Sequence, residues 1–157
     1  MQPTINNIKT RLANIAKLVT GIKRAYAEAP MSLPPSDLPV FCSFTGPVLS
    51  FETLSAQTAI ETRQFICRLY GTQIQQGYDG NAEKLVEPFI TSMRDVFLSH
   101  PGMGLETANT RIEFVSKLSW LGDGGIVVLP FAGENYLGVE FRLSAEILVP
   151  IGIAKYE

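Results

Sequence analysis

Residues 136–151 read YLGVEFRLSAEILVPI. Every second residue is small or apolar: Leu137, Val139, Phe141, Leu143, Ala145, Ile147, Val149 and Ile151. Between them stand Tyr136, Glu140, Arg142, Ser144 and Glu146. Alternation of this kind predicts a strand with one dry face, because successive side chains leave a pleated backbone on opposite sides. The length is unusual. Sixteen extended residues span roughly 50 Å at about 3.3 Å each, against about five or six residues for a typical strand. Burying the dry face contributes on the order of 10–20 kcal/mol, and ordering the backbone costs about as much. The strand is therefore stable only if most of that face is covered. A small domain seldom has so wide a core, so either the strand bends over a corner or a neighbouring copy covers part of it.

The segments before it supply candidate cover. Ile5, Ile8, Leu12, Ile15 and Val19 recur at spacings of three and four, which predicts an amphipathic helix over 4–20. Thr4 is a candidate N-cap. Gly21 is a candidate stop, although Ile22 and Tyr26 continue the spacing. Four prolines in EAPMSLPPSDLP, residues 28–39, mark an extended connector. A short strand follows over 40–46, with Gly46-Pro47 as a turn, and a longer one over 59–70. In the longer strand Phe65, Cys67 and Leu69 oppose Gln64, Arg68 and Tyr70, and Ile66 implies that part of the second face is also covered. Ala82, Leu85, Val86, Phe89, Ile90, Met93, Val96 and Phe97 then form a broad helical stripe. Asp79-Gly80 reads as a turn before it and Asn81 as its N-cap, while His100-Pro101-Gly102 ends it. Pro88 predicts either a kink or a helix that starts near Glu87. Residues 110–120 alternate again, LGDGG reads as a turn, and 126–131 is a short apolar strand.

Two helices among runs of strands predict one α+β domain over 1–157. Its sheet should be mainly antiparallel or mixed, with both helices packed on it. At 157 residues the chain is long enough to fold without staples. The net charge of −2 argues against a general nucleic-acid binder. The first 24 residues hold Lys9, Arg11, Lys17, Lys23 and Arg24 and no acid. The remainder sets eight basic against fifteen acidic residues, a formal −7. A basic arm on an acidic body is a candidate docking surface. No stretch approaches the ~18 apolar residues of a membrane span, and the N-terminus is too polar for a secretory signal. The chain is expected to be made and kept in a cytosol. Cys42 and Cys67 lie in predicted strands without metal-ligand spacing and read as buried free thiols.

The residues offer little chemistry. His100 is the one histidine, and its place at a helix end suits a cap better than a base. Without a second histidine or a Cys–His pair, the usual nucleophilic triads cannot be built. The clusters GMG and GDGG lack the strand–loop–helix setting of a phosphate cradle. Acids are scattered, which gives no metal site. Glu140 and Glu146 sit six residues apart on one strand, about 20 Å, too far to act on one bond. No catalytic residue, cofactor or metal is expected.

The order of features resembles the tail terminator and tail completion proteins of long-tailed bacteriophages. It is carried by a helix ending in TGIKRAYAEAP, the stretch PPSDLPVFCSF, the strand TRQFICRLYG, the helix LVEPFITSMRDVFLSHPGMG and the closing strand YLGVEFRLSAEILVPI. The likeness covers most of the chain, but 46–58 has no counterpart. It implies an α+β virion protein at the head-proximal end of a tail, assembled in the host cytoplasm. Such a protein forms a ring, usually of six copies, that caps the tail tube, stops its growth and presents a surface to the head-side connector. The implied partners are copies of itself, the tail tube protein and the connector or stopper protein, with double-stranded DNA passing without specific binding. Acidic walls suit that passage, so Glu61, Glu113, Glu140 and Glu146 are candidate lumen residues. Lys9, Arg11 and Lys17 are candidates for docking on an acidic neighbour. A head–tail adaptor, neck or tail-tube protein is the nearest alternative. A small enzyme or ligand-binding domain, with a pocket lined by Tyr26, Tyr70, Trp120 and Arg68, is a more distant one.

Overall fold

A computed structural model describes residues 5–74, 80–100 and 115–150. It is α+β. The elements are helix α1 (Ile5–Ala16), strand β1 (Arg24–Tyr26), a 3-10 turn at Pro35–Asp37, β2 (Val40–Ser55), β3 (Thr58–Ile74), α2 (Gly80–Leu98), β4 (Val115–Phe131) and β5 (Glu134–Pro150). One sheet has the order β1-β2-β3-β5-β4. The β1–β2 pair is parallel, and the β2–β3, β3–β5 and β5–β4 pairs are antiparallel.

β5 lies inside the sheet, with β3 on one side and β4 on the other. Leu137, Val139, Phe141, Leu143, Ala145 and Ile147 are all buried. They share a face with Phe41, Phe65, Cys67 and Leu69, and both helices pack on that face through Ile8, Leu12, Ile15, Met93 and Phe97. The centre is aromatic. Trp120 stacks on Phe141 at 5.0 Å, while Phe41 and Phe97 each lie 6.0 Å from the Phe141 ring. A second cluster covers part of the opposite face: Val40, Cys42, Tyr70, Leu129 and Tyr136, roofed by Leu33 and Leu38 of the proline-rich connector. Tyr136 donates its hydroxyl to the Leu33 carbonyl at 3.2 Å, which pins the connector to the sheet. The connector is thus a lid on the second face, in keeping with the reading of Ile66.

Several expectations need correction. α1 stops at Ala16 rather than near residue 20, and Ile22 and Tyr26 do not extend it. Backbone bonds from Leu18 to Ile15 and from Val19 to Ala16 tighten the last turn. Gly21 then takes φ +99°, and the chain leaves as β1. Ile5 is 37% exposed, outside the buried stripe. Thr4 and Asp79 lie outside the described residues, and Asn81 falls inside α2 rather than capping it. α2 runs from Gly80 to Leu98 with Pro88 inside, so it does not start near Glu87. Leu85 is 64% exposed and leaves the predicted stripe.

The largest differences concern two predicted turns. Gly46-Pro47 does not turn the chain, because β2 passes through it. A Cβ at Gly46 would stand 2.5 Å from the Gln64 carbonyl oxygen, so glycine here permits close strand approach. Pro47 sits where the register shifts between Thr45 and Val48, a bulge that tolerates a missing donor. LGDGG likewise lies within β4, which continues across it through bulges at Trp120/Gly122 and Asp123/Ile126. The segments expected as separate strands over 110–120 and 126–131 thus form the single strand β4, and β1 is a short edge strand that the sequence pattern does not predict. Residues 110–114 of the predicted fourth strand lie outside the described residues.

Candidate functional site

The groups that ordinarily do chemistry are committed to structure. His100 Nδ1 lies 2.7 Å from the Val96 carbonyl oxygen, and its backbone N–H bonds Phe97 O, so it caps α2 as the sequence suggests. Cys42 and Cys67 are free and buried, and the pleat places them on opposite faces of the sheet. Burial pushes the Cys42 thiol up to about 12, with Arg68 opposing the rise. Burial, with a smaller push from Cys42, raises Cys67 further. Neither is a thiolate at neutral pH. Among the described residues no three His, Cys, Asp or Glu side chains come together as a metal site, and no helix is long and apolar enough to cross a membrane.

The four residues of the ligand-binding alternative are not brought together in one pocket. Tyr26, Tyr70 and Arg68 belong to the connector-covered face, whereas Trp120 stacks in the core on the helix-covered face. The Tyr70 hydroxyl is buried near the Arg68 guanidinium, without a hydrogen bond of good geometry among the described residues. Burial raises its pKa, and the Arg68 guanidinium, through its N–H groups and its charge, opposes the rise. Its ring is held edge-on by Phe131 and Tyr136 at 5.5 and 5.7 Å. This is a packed aromatic, not a ligand anchor. A depression of about 330 Å³ opens between β4 and β5, lined by Leu121, Gly122, Asp123, Gly124, Glu140 and Arg142. Its polar groups already have partners within the chain, although Asp123 has no ion pair among the described residues. Arg68 Nε meets Glu140 Oε1 at 3.0 Å, Arg142 approaches the other Glu140 oxygen at 3.8 Å, and Asp123 accepts from the Gly125 N–H at 2.8 Å. The Arg68 guanidinium also lies over the Phe44 ring at 5.2 Å.

The four candidate lumen residues do not share a face. Register places Glu140 opposite Arg68 and Glu146 opposite Thr62, both on the connector side, while Glu61 lies opposite Ile147 on the helix side. Glu61 is neutralised by Arg63 at 3.1 Å, and Arg63 also donates to Gly46 O at 2.9 Å. Glu113 lies outside the described residues. Of the three placed, Glu140 and Glu146 can line one wall together. On α1, Lys9 and Arg11 are half-buried beside the apolar stripe, and Lys17 is exposed just beyond its end.

What remains open is backbone and apolar surface. β1 pairs with β2 only at Val40, Phe41 and Cys42, so the outer edge of β2 beyond them has no strand partner among the described residues. The outer edge of β4 also has none there. The far half of the β2–β3 hairpin reaches past the helices. Val48, Leu49, Phe51 and Leu54 are 40%, 50%, 57% and 54% exposed there. Unpaired N–H and C=O groups beside exposed apolar side chains form a template for another strand. This arm was not legible in the sequence, because Gly46-Pro47 reads as a turn and 48–55 lacks clean alternation. The candidate functional surface is therefore the pair of sheet edges. Comparison with protein-family models and with curated proteins finds no match.

Proposed function

We propose that this chain is a structural subunit that assembles with copies of itself, and specifically a tail terminator of a long-tailed bacteriophage. Six copies in a ring would cap the tail tube, end its polymerisation and form the joining surface for the head-side connector. The observation that carries this reading is a sheet whose β4 and far β2 edges have no strand partner among the described residues, beside the exposed apolar side chains of the β2–β3 arm. Exposed strand edges are normally blunted or covered in proteins that stay single. The two edges differ from one another, and a contact between unlike patches generates rings when the rotation closes. The order of sequence features that resembles tail terminators supports the same reading. The paired charges around Glu140 and the buried thiols give no support to an enzyme.

The wall formed by Glu140 and Glu146 is the proposed approach to the channel. Each of the two has basic neighbours on that face: Arg68 and Arg142 at Glu140, and Lys117 opposite Glu146 in the β4–β5 register. Lys9, Arg11 and Lys17 are the proposed docking charges. The test is electron microscopy of polymerising tail tube protein with and without the purified chain. Added chain should bind tube ends as one ring and shorten the tubes. Incorporation along the tube wall, or long cylinders built of the chain alone, would instead mark a tube protein.

A further inference from the structure

The two open edges carry matching irregularities. On β2 the register with β3 gains an extra residue at Leu49 and another at Leu54. On β4 the register with β5 gains one at Ser116 and another at Leu121. Each edge thus presents four regular residues between two bulges, 50–53 on β2 and 117–120 on β4. β2 runs antiparallel to β3, β3 to β5 and β5 to β4, so β4 runs opposite to β2. Placed head to tail in one continuous sheet, β4 of one copy and β2 of the next meet antiparallel.

Side-chain alternation restricts the register. Phe51 lies opposite Glu61 and Leu118 opposite Ala145, which puts both on the helix side. Glu52 lies opposite Ile60 and Lys117 opposite Glu146, on the other side. A join that keeps the faces aligned offsets the two four-residue blocks by one residue and sets three regular pairs, Phe51 beside Leu118, Ser50 beside Ser119 and Glu52 beside Lys117. Opposite charges then meet, and each is exposed without a salt bridge among the described residues. Exposed Val48 and Leu49 come to the edge of Trp120 and Leu121. Further along, Gly122 at φ +136° and Gly125 at φ +75° introduce bends in β4 before it would reach β1 of the neighbour.

We propose that the occupant of the β2 edge is the β4 edge of a second copy of this chain, joined antiparallel over 50–52 and 117–119 with Glu52 facing Lys117. The inference rests on the ring-forming reading and names its contact. Full-length S50C and S119C proteins test it by oxidative cross-linking at micromolar concentration. The two mixed should give a covalent dimer, either alone should not, and the doubly substituted S50C/S119C chain should give a ladder. The wild type, with both cysteines buried, should stay unlinked. Glu52→Lys and Lys117→Glu should each weaken association on the order of tenfold, and the double exchange should restore it. Cross-linking of S50C to itself would mean a two-fold β2–β2 join and overturn the proposal. An oligomer with no S50C–S119C link would overturn it while leaving the ring reading intact. A monomer under all conditions would overturn both.

Discussion

Two phenylalanines separate what holds this molecule together from what it presents. Phe141 is 1% exposed and sits among Trp120, Phe41 and Phe97. Phe141→Ala should cost about 3–5 kcal/mol in urea unfolding, through lost burial and the cavity left behind. Phe51 is 57% exposed on the β2 arm. Phe51→Ser should leave the unfolding free energy of the single chain within about 0.5 kcal/mol while sharply reducing self-association in sedimentation. The thiols make a pH prediction. In the unfolded chain both ionise above their ordinary value of 9.0, whereas burial keeps the native Cys42 neutral to about 12 and Cys67 beyond it. The native state then holds more protons, so stability is complete below pH 9 and falls as pH rises above it. The loss should reach roughly 2–3 kcal/mol by pH 10, at about 1.4 kcal/mol per pH unit for each thiol. Cys67→Ala should remove about half of that alkaline loss, read from urea midpoints at pH 7 and pH 10. Burial of these thiols was legible from their place in alternating strands. The exposure of Leu85 was not, because helical spacing fixes a face but not how wide the covering partner is.

At the scale of elements, what the sequence made plain was what periodicity alone decides. α2 and β5 are long and regular, and their apolar spacing identified them. The failures came where glycine and proline were read as stops. In β2 and β4 those residues sit in bulges or at close strand contacts, so the hydrogen-bonded partner strand, invisible in the local sequence, carries the chain through. Gly138 illustrates the point. It pairs with Tyr70 beside the bulge at Gly71, and a Cβ there would collide with the Leu69 carbonyl oxygen. Gly138→Ala should therefore cost about 1–3 kcal/mol through strain between β5 and β3. Gly124→Ala, whose added Cβ would meet nothing nearer than 3.9 Å, should be close to neutral. Equal losses in thermal or urea unfolding for the two variants would contradict this assignment of their roles.

For the molecule as a whole, the sheet is covered by two helices on one face and by a proline-rich lid on part of the other, and among the described residues β4 and the far part of β2 have no outer strand partner. α+β architecture was legible from the order of helices and strands. The interaction surface was not, because unpaired edges are a property of strand order, and strand order depends on which segments meet in space. The candidate lumen acids show the same limit: alternate positions on neighbouring strands put Glu61 on one face and Glu140 and Glu146 on the other. The account depends on this chain being built to meet its own copies. Native mass spectrometry of the purified, untagged protein tests that most directly. A closed species of fixed size is predicted, an integer multiple of 17.2 kDa with six copies expected. A single species at 17.2 kDa that stays unassociated as concentration rises would contradict it.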